Sequence, residues 1–243
     1  MVPATLKAQK NSKQVPTLEE EMALLSQGYS FVAGLDEAGR GSLAGPVVAA
    51  AVILPLSDDC SMCLAGVRDS KQLTAQAREQ LYEVIIQHAL AVGVGIGPVE
   101  LIDERNILQA TKYAMRSALA QLAIPPQALL LDAINLPSIA LPQRSIIKGD
   151  VLCLSIAAAS IIAKVTRDGI MIQLHEQYPA YGFAQHKGYG TEAHLVALHQ
   201  HGASPHHRRS FAPVRELFGL FHVEGPNSSE LTMDITAPPE YPG

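Results

Sequence analysis

Hydrophobic positions along the chain change period several times, and each change marks an element. Thr17 followed three residues later by Glu20 reads as a capping box, with Glu19 and Glu21 in a first turn where the helix dipole favours acids. The pattern predicts a helix through Leu24 and Leu25 to about Gly28. FVAGLD (31–36) is an apolar strand ending at a Gly39-Arg40-Gly41 turn. PVVAAAVIL (46–54), rich in side chains stiff at χ1, is a second strand. Thr74 to Leu90 carries helical spacing at Leu81, Val84, Ile85 and Ala89. AVGVGIG (91–97) is a strand whose glycines let another backbone approach closely. Helices are predicted over 98–104 and 106–123, the second stopped by Pro125-Pro126. ALLLDA (128–133) is a buried strand and 139–147 a weaker one. Asp150 is placed to cap a long helix that runs to about Glu176 and is apolar nearly all round. Its polar exceptions, Ser160, Lys164 and Asp168, form one stripe, and a last helix spans about 191–201. Strands and helices without strict alternation predict an α/β fold, one mixed sheet flanked by helices.

Length and composition narrow the class. The 243 residues, 48% hydrophobic and 17% charged, suit one large globular domain. Residues 1–16, with Lys7, Lys10 and Lys13, read as a flexible extension; 17–221 read as the domain, and 222–243 as a disordered tail. The net charge of -5 argues against a general nucleic-acid coat protein. Four of the acids lie in the tail, so the body carries 18 basic against 19 acidic side chains and its bulk charge is silent about partners. The longest uncharged run, Gly41 to Ser57, is 17 residues and holds Gly45, Pro46 and Pro55, so no membrane anchor is expected. The first residues lack an apolar signal region, and three cysteines are too few for a disulfide framework; both point to the cytoplasm.

Four acids stand out because each lies at the end of an apolar segment. Asp36 and Glu37 end the first strand, Asp132 ends ALLLD, and Asp150 opens the buried helix. Open α/β sheets place their sites at such strand ends. Several carboxylates buried together require a cation, and an all-oxygen set favours Mg²⁺ or Mn²⁺ over zinc. Two such ions suit the displacement of a phosphodiester. Taken singly, Asp132 is equally a strand-end turn residue and Asp150 a plain helix cap. Glu37 adds a geometric condition: neighbours in a regular strand face opposite ways, so both acids share a site only if the strand bends or ends there.

These residues also sit in longer motifs. GLDEAGRGSLAGPVVAAAVIL (34–54) resembles the opening signature of ribonuclease HII. DSKQL (69–73), RNILQAT (105–111), LLLDA (129–133), IIKGDVLCLSIAAASIIAKVTRD (146–168), YPAYGFAQHKGYGT (178–191) and HRRSFAPV (207–214) follow in the family's order. The resemblance, over roughly residues 17–216, implies an RNase H-like fold and endonucleolytic cleavage of RNA in RNA–DNA hybrids. It extends to single ribonucleotides embedded in duplex DNA, cut on their 5′ side to leave 5′-phosphate and 3′-hydroxyl ends. The family's four metal-binding acids fall on Asp36, Glu37, Asp132 and Asp150, with Mg²⁺ or Mn²⁺ as cofactor, two ions per site. Its glycine-arginine-glycine motif falls on Gly39, Arg40 and Gly41, and its junction-sensing tyrosine on Tyr189. The 2′-OH distinguishes RNA from DNA, so a discriminating nuclease contacts it directly, and glycines let main-chain groups do so. The family usually has proline where this chain has Ser42, which is expected to loosen φ there.

Arg40, Lys71, Lys187, Arg208 and Arg209 are candidates for phosphate contacts, with Asn106 as a neutral donor. The expected partners are RNA–DNA hybrids and ribonucleotide-containing DNA, acted on by a monomer without a membrane. A replication clamp is conceivable as a partner of the tail, though no residue there carries one. Seven of nine histidines fall between His175 and His207. His194/His199 and His201/His206 have the spacing of half a zinc site, but the other half is missing, so the histidines are read as structural or phosphate-contacting. Cys60-Ser-Met-Cys63 is read as an incidental pair and Cys153 as core. Three rival readings carry their own tests. The sister type HIII has lysine for Arg40 and an N-terminal domain for which residues 1–28 are too short. A nuclease for DNA alone would ignore the ribonucleotide, and a non-catalytic hybrid binder would not need all four acids.

Overall fold

A computed structural model describes residues 15–220. The extension 1–16 lies outside them save for its last two residues, and so does the tail 222–243 with any clamp contact. The strands are β1 (Val32–Ala38), β2 (Val47–Ile53), β3 (Ala91–Gly97), β4 (Ala128–Asp132) and β5 (Gln143–Ile146). The helices are α1 (Glu19–Leu25), α2 (Asp58–Cys63), α3 (Ala75–His88), α4 (Val99–Arg105), α5 (Ile107–Ala120), α6 (Gly149–Leu152), α7 (Leu154–Gln177), α8 (Phe183–His186), α9 (Glu192–His201) and α10 (Ala212–Leu220). The predicted last helix, near 191–201, is followed by α10, which pins Val214 and Leu217 against Leu43 and Leu198. No helix among the described residues is long and apolar enough to cross a membrane.

One sheet runs in the order β3-β2-β1-β4-β5, antiparallel through β3-β2-β1 and parallel through β1-β4-β5. It is the mixed sheet expected. Alternate residues of β2 feed opposite layers: Ala50 and Val52 pack with α3 and α7, whereas Ala49, Ala51 and Ile53 pack with α5. Covered on both faces, β2 is therefore apolar throughout, unlike a strand with one face in water.

The glycines of β3 have the role their pattern suggested. A Cβ on Gly93, Gly95 or Gly97 would stand 2.1, 2.0 or 2.7 Å from the carbonyl oxygens of Ala118, Ala114 and Ala110. Two strand residues advance about 6.7 Å and four helix residues about 6 Å, so glycine every second position meets alanine every fourth almost in step. Helix α5 thus lies directly on the strand backbone.

Two expected caps are placed differently. Thr17 caps α1 only through a long bond, its Oγ1 accepting from Glu19 N at 3.4 Å, while the N-cap position itself is Leu18, with no side-chain bond. Asp150 does not cap the long helix either; it lies in the first turn of the short α6. The chain breaks at Cys153, which is extended (φ -109°, ψ 128°). Thr17 stitches that break: its N–H donates to Leu152 O at 3.0 Å and its carbonyl accepts from Leu154 N at 2.9 Å. The orphan amides of α7 are served from α1, because Glu21 Oε1 accepts from Ser155 N at 2.9 Å and from Ser155 Oγ at 2.6 Å. Burial, the chief cause, pushes the Glu21 carboxyl up. Cys153 is core, as expected, and of the pair in α2 Cys60 is buried and Cys63 exposed.

Candidate active site

Parallel strands β1 and β4 end side by side, and there the sheet opens. The last β1–β4 pair is Leu35 with Leu131, so Asp36 and Glu37 continue along β2 while their other edge is bare. Asp36 covers part of that edge itself, accepting from Glu37 N at 2.7 Å through Oδ1. Strand β1 does not end at Glu37 as the expected condition required, since it stays paired with β2 through Ala38; it is the loss of β4 beside it that opens the site, and both acids line one cleft of about 530 Å³. Asp132, Gly39, Arg40, Gly41, Lys71 and Tyr189 line the same cleft. Asp132 Oδ1 accepts from Gly149 N at 2.9 Å, which fixes the start of α6 and hence Asp150 beside it.

Electrostatics in the cleft favour a cation. Burial, and next the charge of Glu37, hold the Asp36 carboxyl well above the usual carboxylate range, against a hydrogen bond from Ser160. Burial also lifts Glu37 although Arg40 opposes it, and lifts Asp150 although Lys71 opposes it. Arg40 Nη1 lies 3.0 Å from Glu37 Oε1, and Lys71 Nζ 3.3 Å from Asp150 Oδ2. Burial alone would lower the Lys71 ammonium, but Asp150 and Asp69 raise it. Glu37 Oε2 is buried with no hydrogen-bond partner. Among the described residues no three His, Cys, Asp or Glu side chains close on one another as a finished ligand set. Asp36, Glu37 and Asp132 line the cleft, whereas Asp150 does not line it and reaches it only through its ion pair with the lining Lys71. Oxygen donors throughout, raised carboxyls and an orphaned carboxylate oxygen fit a hard divalent ion.

Behind the cleft lie two buried arginines. Arg167 donates to the carbonyls of Pro46 (2.9 Å), Lys187 (3.0 Å) and Ala44 (3.1 Å). Arg208 donates to those of Gly45 (3.0 Å), Arg40 (2.9 Å) and Gly39 (2.7 Å). Arg208 is therefore no phosphate contact: it is fully buried and its fork is engaged by the chain's own carbonyls. Burial, then the Arg167 charge, bring it down to about 9. Gly39 (φ +93°) has no room for a Cβ, which would fall 1.9 Å from Arg167 Nε. Gly41 has no such neighbour; a Cβ there meets nothing within 4 Å. Ser42 is buried, its N–H reaching Gly39 O at 3.4 Å and its Oγ having no hydrogen-bond partner.

The remaining candidates disperse. Lys187 adopts a left-handed conformation (φ 52°), bonds Ala184 O through Nζ, and lines a neighbouring hollow with Arg78 and Asp168. Asn106 (φ 77°) caps α5, its Oδ1 accepting from Gln109 N at 3.1 Å, and lies outside the cleft. Arg209 also lies outside it, its N–H donating to Asp103 at 3.0 Å. Sequence reasoning missed Ser70, Arg78, Ser160 and Lys164 as lining residues. The polar stripe of α7 was the signal for Ser160 and Lys164 only: Ser160 Oγ meets Ser70 Oγ at 3.0 Å, and Lys164 Nζ binds Asp168 at 2.6 Å.

Comparison with known proteins agrees with this geometry. A family model described as ribonuclease HII matches residues 33–214. A ribonuclease HII of Halalkalibacterium halodurans is 58% identical over 199 residues, covering 82% of this chain and 74% of its own. The crystal structure of ribonuclease H2 from Pyrococcus horikoshii is 29% identical with a TM-score of 0.67, over 80% of this chain and all of that one. That of a PCNA:RNase HII complex from Archaeoglobus fulgidus is 28% identical with a TM-score of 0.65, over 76% of this chain and 96% of its own. With the matched span enclosing the whole acid-lined cleft, the chain belongs to the ribonuclease HII family and is a ribonuclease H enzyme with the RNase H-like fold.

Proposed function

We propose that this ribonuclease H cuts RNA–DNA hybrids and also duplex DNA at single embedded ribonucleotides, on the 5′ side of the ribose, using two divalent cations. The observation that carries the reading is the shared cleft, which puts Asp36, Glu37 and Asp132 in one hollow with Gly39, Arg40, Gly41 and Tyr189. Asp36, Glu37, Asp132 and Asp150 would hold the ions, Mg²⁺ or Mn²⁺, which acidify an attacking water and stabilise the departing 3′ oxygen. Open space beside Gly41 admits a sugar edge to the main chain, where a 2′-OH can be bonded directly. The Tyr189 ring, 38% exposed, is offered to the next sugar, which a 2′-OH would crowd. Arg40 and Lys71, which line the cleft, would contact phosphate there, and Lys187 would serve a phosphate farther along. The Archaeoglobus complex supports a sliding clamp as a class of partner.

The test is a DNA duplex with one ribonucleotide, incubated with Mg²⁺, Mn²⁺ or chelator, followed by mapping of product ends. Metal-dependent cutting 5′ of the ribonucleotide, with all-DNA duplex intact, is the expected result. Cutting of long hybrids alone would retain the metal site and overturn the roles of Gly39–Gly41 and Tyr189. Gly41→Ala sharpens the test: it should leave the unfolding free energy within about 0.5 kcal/mol of the parent's while impairing cleavage.

A further inference from the structure

Phosphodiester chemistry leaves three imidazoles unexplained. His186 and His194 are stacked, their centroids 4.4 Å apart and their planes 14° from parallel, with His207 at 5.2 Å from His194. Phe183 packs edge-on to the first two, and Tyr181 lies against His207. They do not line the catalytic cleft.

Main-chain partners fix every proton in the cluster. An amide N–H only donates, so Ser204 N, 2.9 Å from His207 Nδ1, makes that nitrogen an acceptor and puts the His207 proton on Nε2. His207 Nε2–H then faces His194 Nε2 at 3.0 Å, which must accept. The His194 proton is left on Nδ1, where it donates to Tyr189 O at 2.9 Å. His186 is fixed likewise, accepting from Gly188 N at 3.2 Å and donating to Tyr181 O at 2.7 Å. The polarity runs one way, from the Ser204 amide through two neutral rings to the Tyr189 carbonyl. Burial keeps all three rings below the ordinary histidine range, His207 at about 4, and the Lys187 ammonium further opposes protonation of His186.

His194 is one of three ties on the Tyr189 main chain, whose N–H donates to His186 O at 2.9 Å and whose carbonyl also accepts from Thr191 N at 2.8 Å. Gly188 (φ +79°) precedes it and Gly190 follows, so the chain on both sides is permissive. The ring itself is held only loosely from below, with Lys164 Nζ and Arg167 Cζ 5.7 and 5.6 Å from its centroid. The same stretch is tied to the glycine loop, because Leu43 N donates to Gly188 O at 2.8 Å and Leu43 O accepts from Arg208 N at 2.8 Å. We propose that His194, oriented by His207, is a positioning residue for Tyr189: it fixes the main chain so that the ring stands at the mouth of the cleft, and thereby sets the preference for an embedded ribonucleotide over a continuous RNA strand. The inference rests on reading Tyr189 as the residue that senses the RNA-to-DNA step.

The experiment compares kcat/KM on a duplex with one ribonucleotide and on a long RNA–DNA hybrid, in the full-length protein with Mg²⁺. His194→Leu should lower the ratio of the two by about tenfold, the scale of a small misplacement of a binding group. His194→Asn, whose amide N–H stands where Nδ1–H stood, should restore it to within about threefold of the parent. Equal loss on both substrates, or Asn no better than Leu, would overturn the proposal and leave the cluster as ordinary packing. Should His194→Leu fail to fold, His207→Gln, which keeps an N–H toward His194, against His207→Leu carries the same comparison. Tyr189→Ala is run beside them. If it lowers the ratio and the histidine variants do not, the positioning role alone falls; if it leaves the ratio untouched, the reading of Tyr189 falls and the positioning role with it.

Discussion

Asp36 and Arg208 are both buried ionisable side chains, and their surroundings treat them in opposite ways. Carbonyl dipoles from Gly39, Arg40 and Gly45 take the place of water around Arg208, so its charge is solvated by the loop that it shapes. Asp36 faces other acids, and hydrogen bonds from Ser160 and Glu37 N offset its burial only in part. The two substitutions therefore diverge. Asp36→Asn should abolish cleavage, by about a thousandfold or more, and raise the melting temperature at neutral pH because it removes a desolvated charge. Arg208→Met should lose cleavage and stability together, depriving the carbonyls of Gly45 and Arg40 of the Arg208 donor at about 1–3 kcal/mol each and leaving Gly39 O with only the long bond from Ser42 N. Thermal melts beside endonuclease assays separate the two; a stabilised Arg208→Met would contradict the role given to its fork. Neither residue's situation could be read locally. Arg208 and Arg209 are adjacent and look alike in the motif, yet one is interior and the other is not, because only the antiparallel bridge of Ala44 with His207 turns Arg208 inward.

Periodicity records which face of an element is covered, and the elements so defined are where sequence and structure agree best. The strands over 31–36, 46–54, 91–97 and 128–133 are present to within two residues, and the glycines of β3 announced the close approach of α5. Caps were less legible. Thr17 with Glu20, and Asp150 before its apolar run, satisfy local capping rules, but the amides of α7 are served by Glu21 across 134 residues of chain. A partner at that distance leaves no trace in local spacing. The acids were legible by position, while Ser160 and Lys164 appeared only as an unexplained stripe until the sheet opened beneath them. At this scale the discriminating variant is Gly95→Ala. Its Cβ meets the Ala114 carbonyl at 2.0 Å, backbone against backbone, so α5 must move as a body. A loss of about 3 kcal/mol is expected in denaturant unfolding, against almost none for Gly41→Ala, although both are single methyl additions to a glycine.

Across the whole molecule two titrating clusters act on stability with opposite signs. Asp36, Glu37 and Asp150 have raised values, so the folded chain holds protons that the unfolded chain has released. Their burden is absent below the ordinary carboxylate range and grows as pH rises through the raised values. His207 behaves in reverse: with its folded value near 4 against an ordinary 6.5, its stabilising contribution is present above 6.5 and is lost as pH falls toward 4. A divalent cation relieves only the acids. The rise in melting temperature on adding Mg²⁺ or Mn²⁺ should therefore be larger at pH 8 than at pH 5, whereas acid destabilisation through the histidines should persist with the ion present. An ion effect independent of pH would mean that the cation binds elsewhere.

The break in the helix at Cys153 has a consequence for how the enzyme comes into being. Asp150 owes its place to a joint closed by Thr17 and Glu21, whose partners are Leu152, Leu154 and Ser155. Closing so long a loop is entropically slow relative to local helix formation. The residues synthesised first must wait for those near position 155 before either end of the joint is useful. A nascent chain shorter than that holds Asp36, Glu37 and Asp132 but no seat for the fourth acid, so competence to cut arrives in one late step.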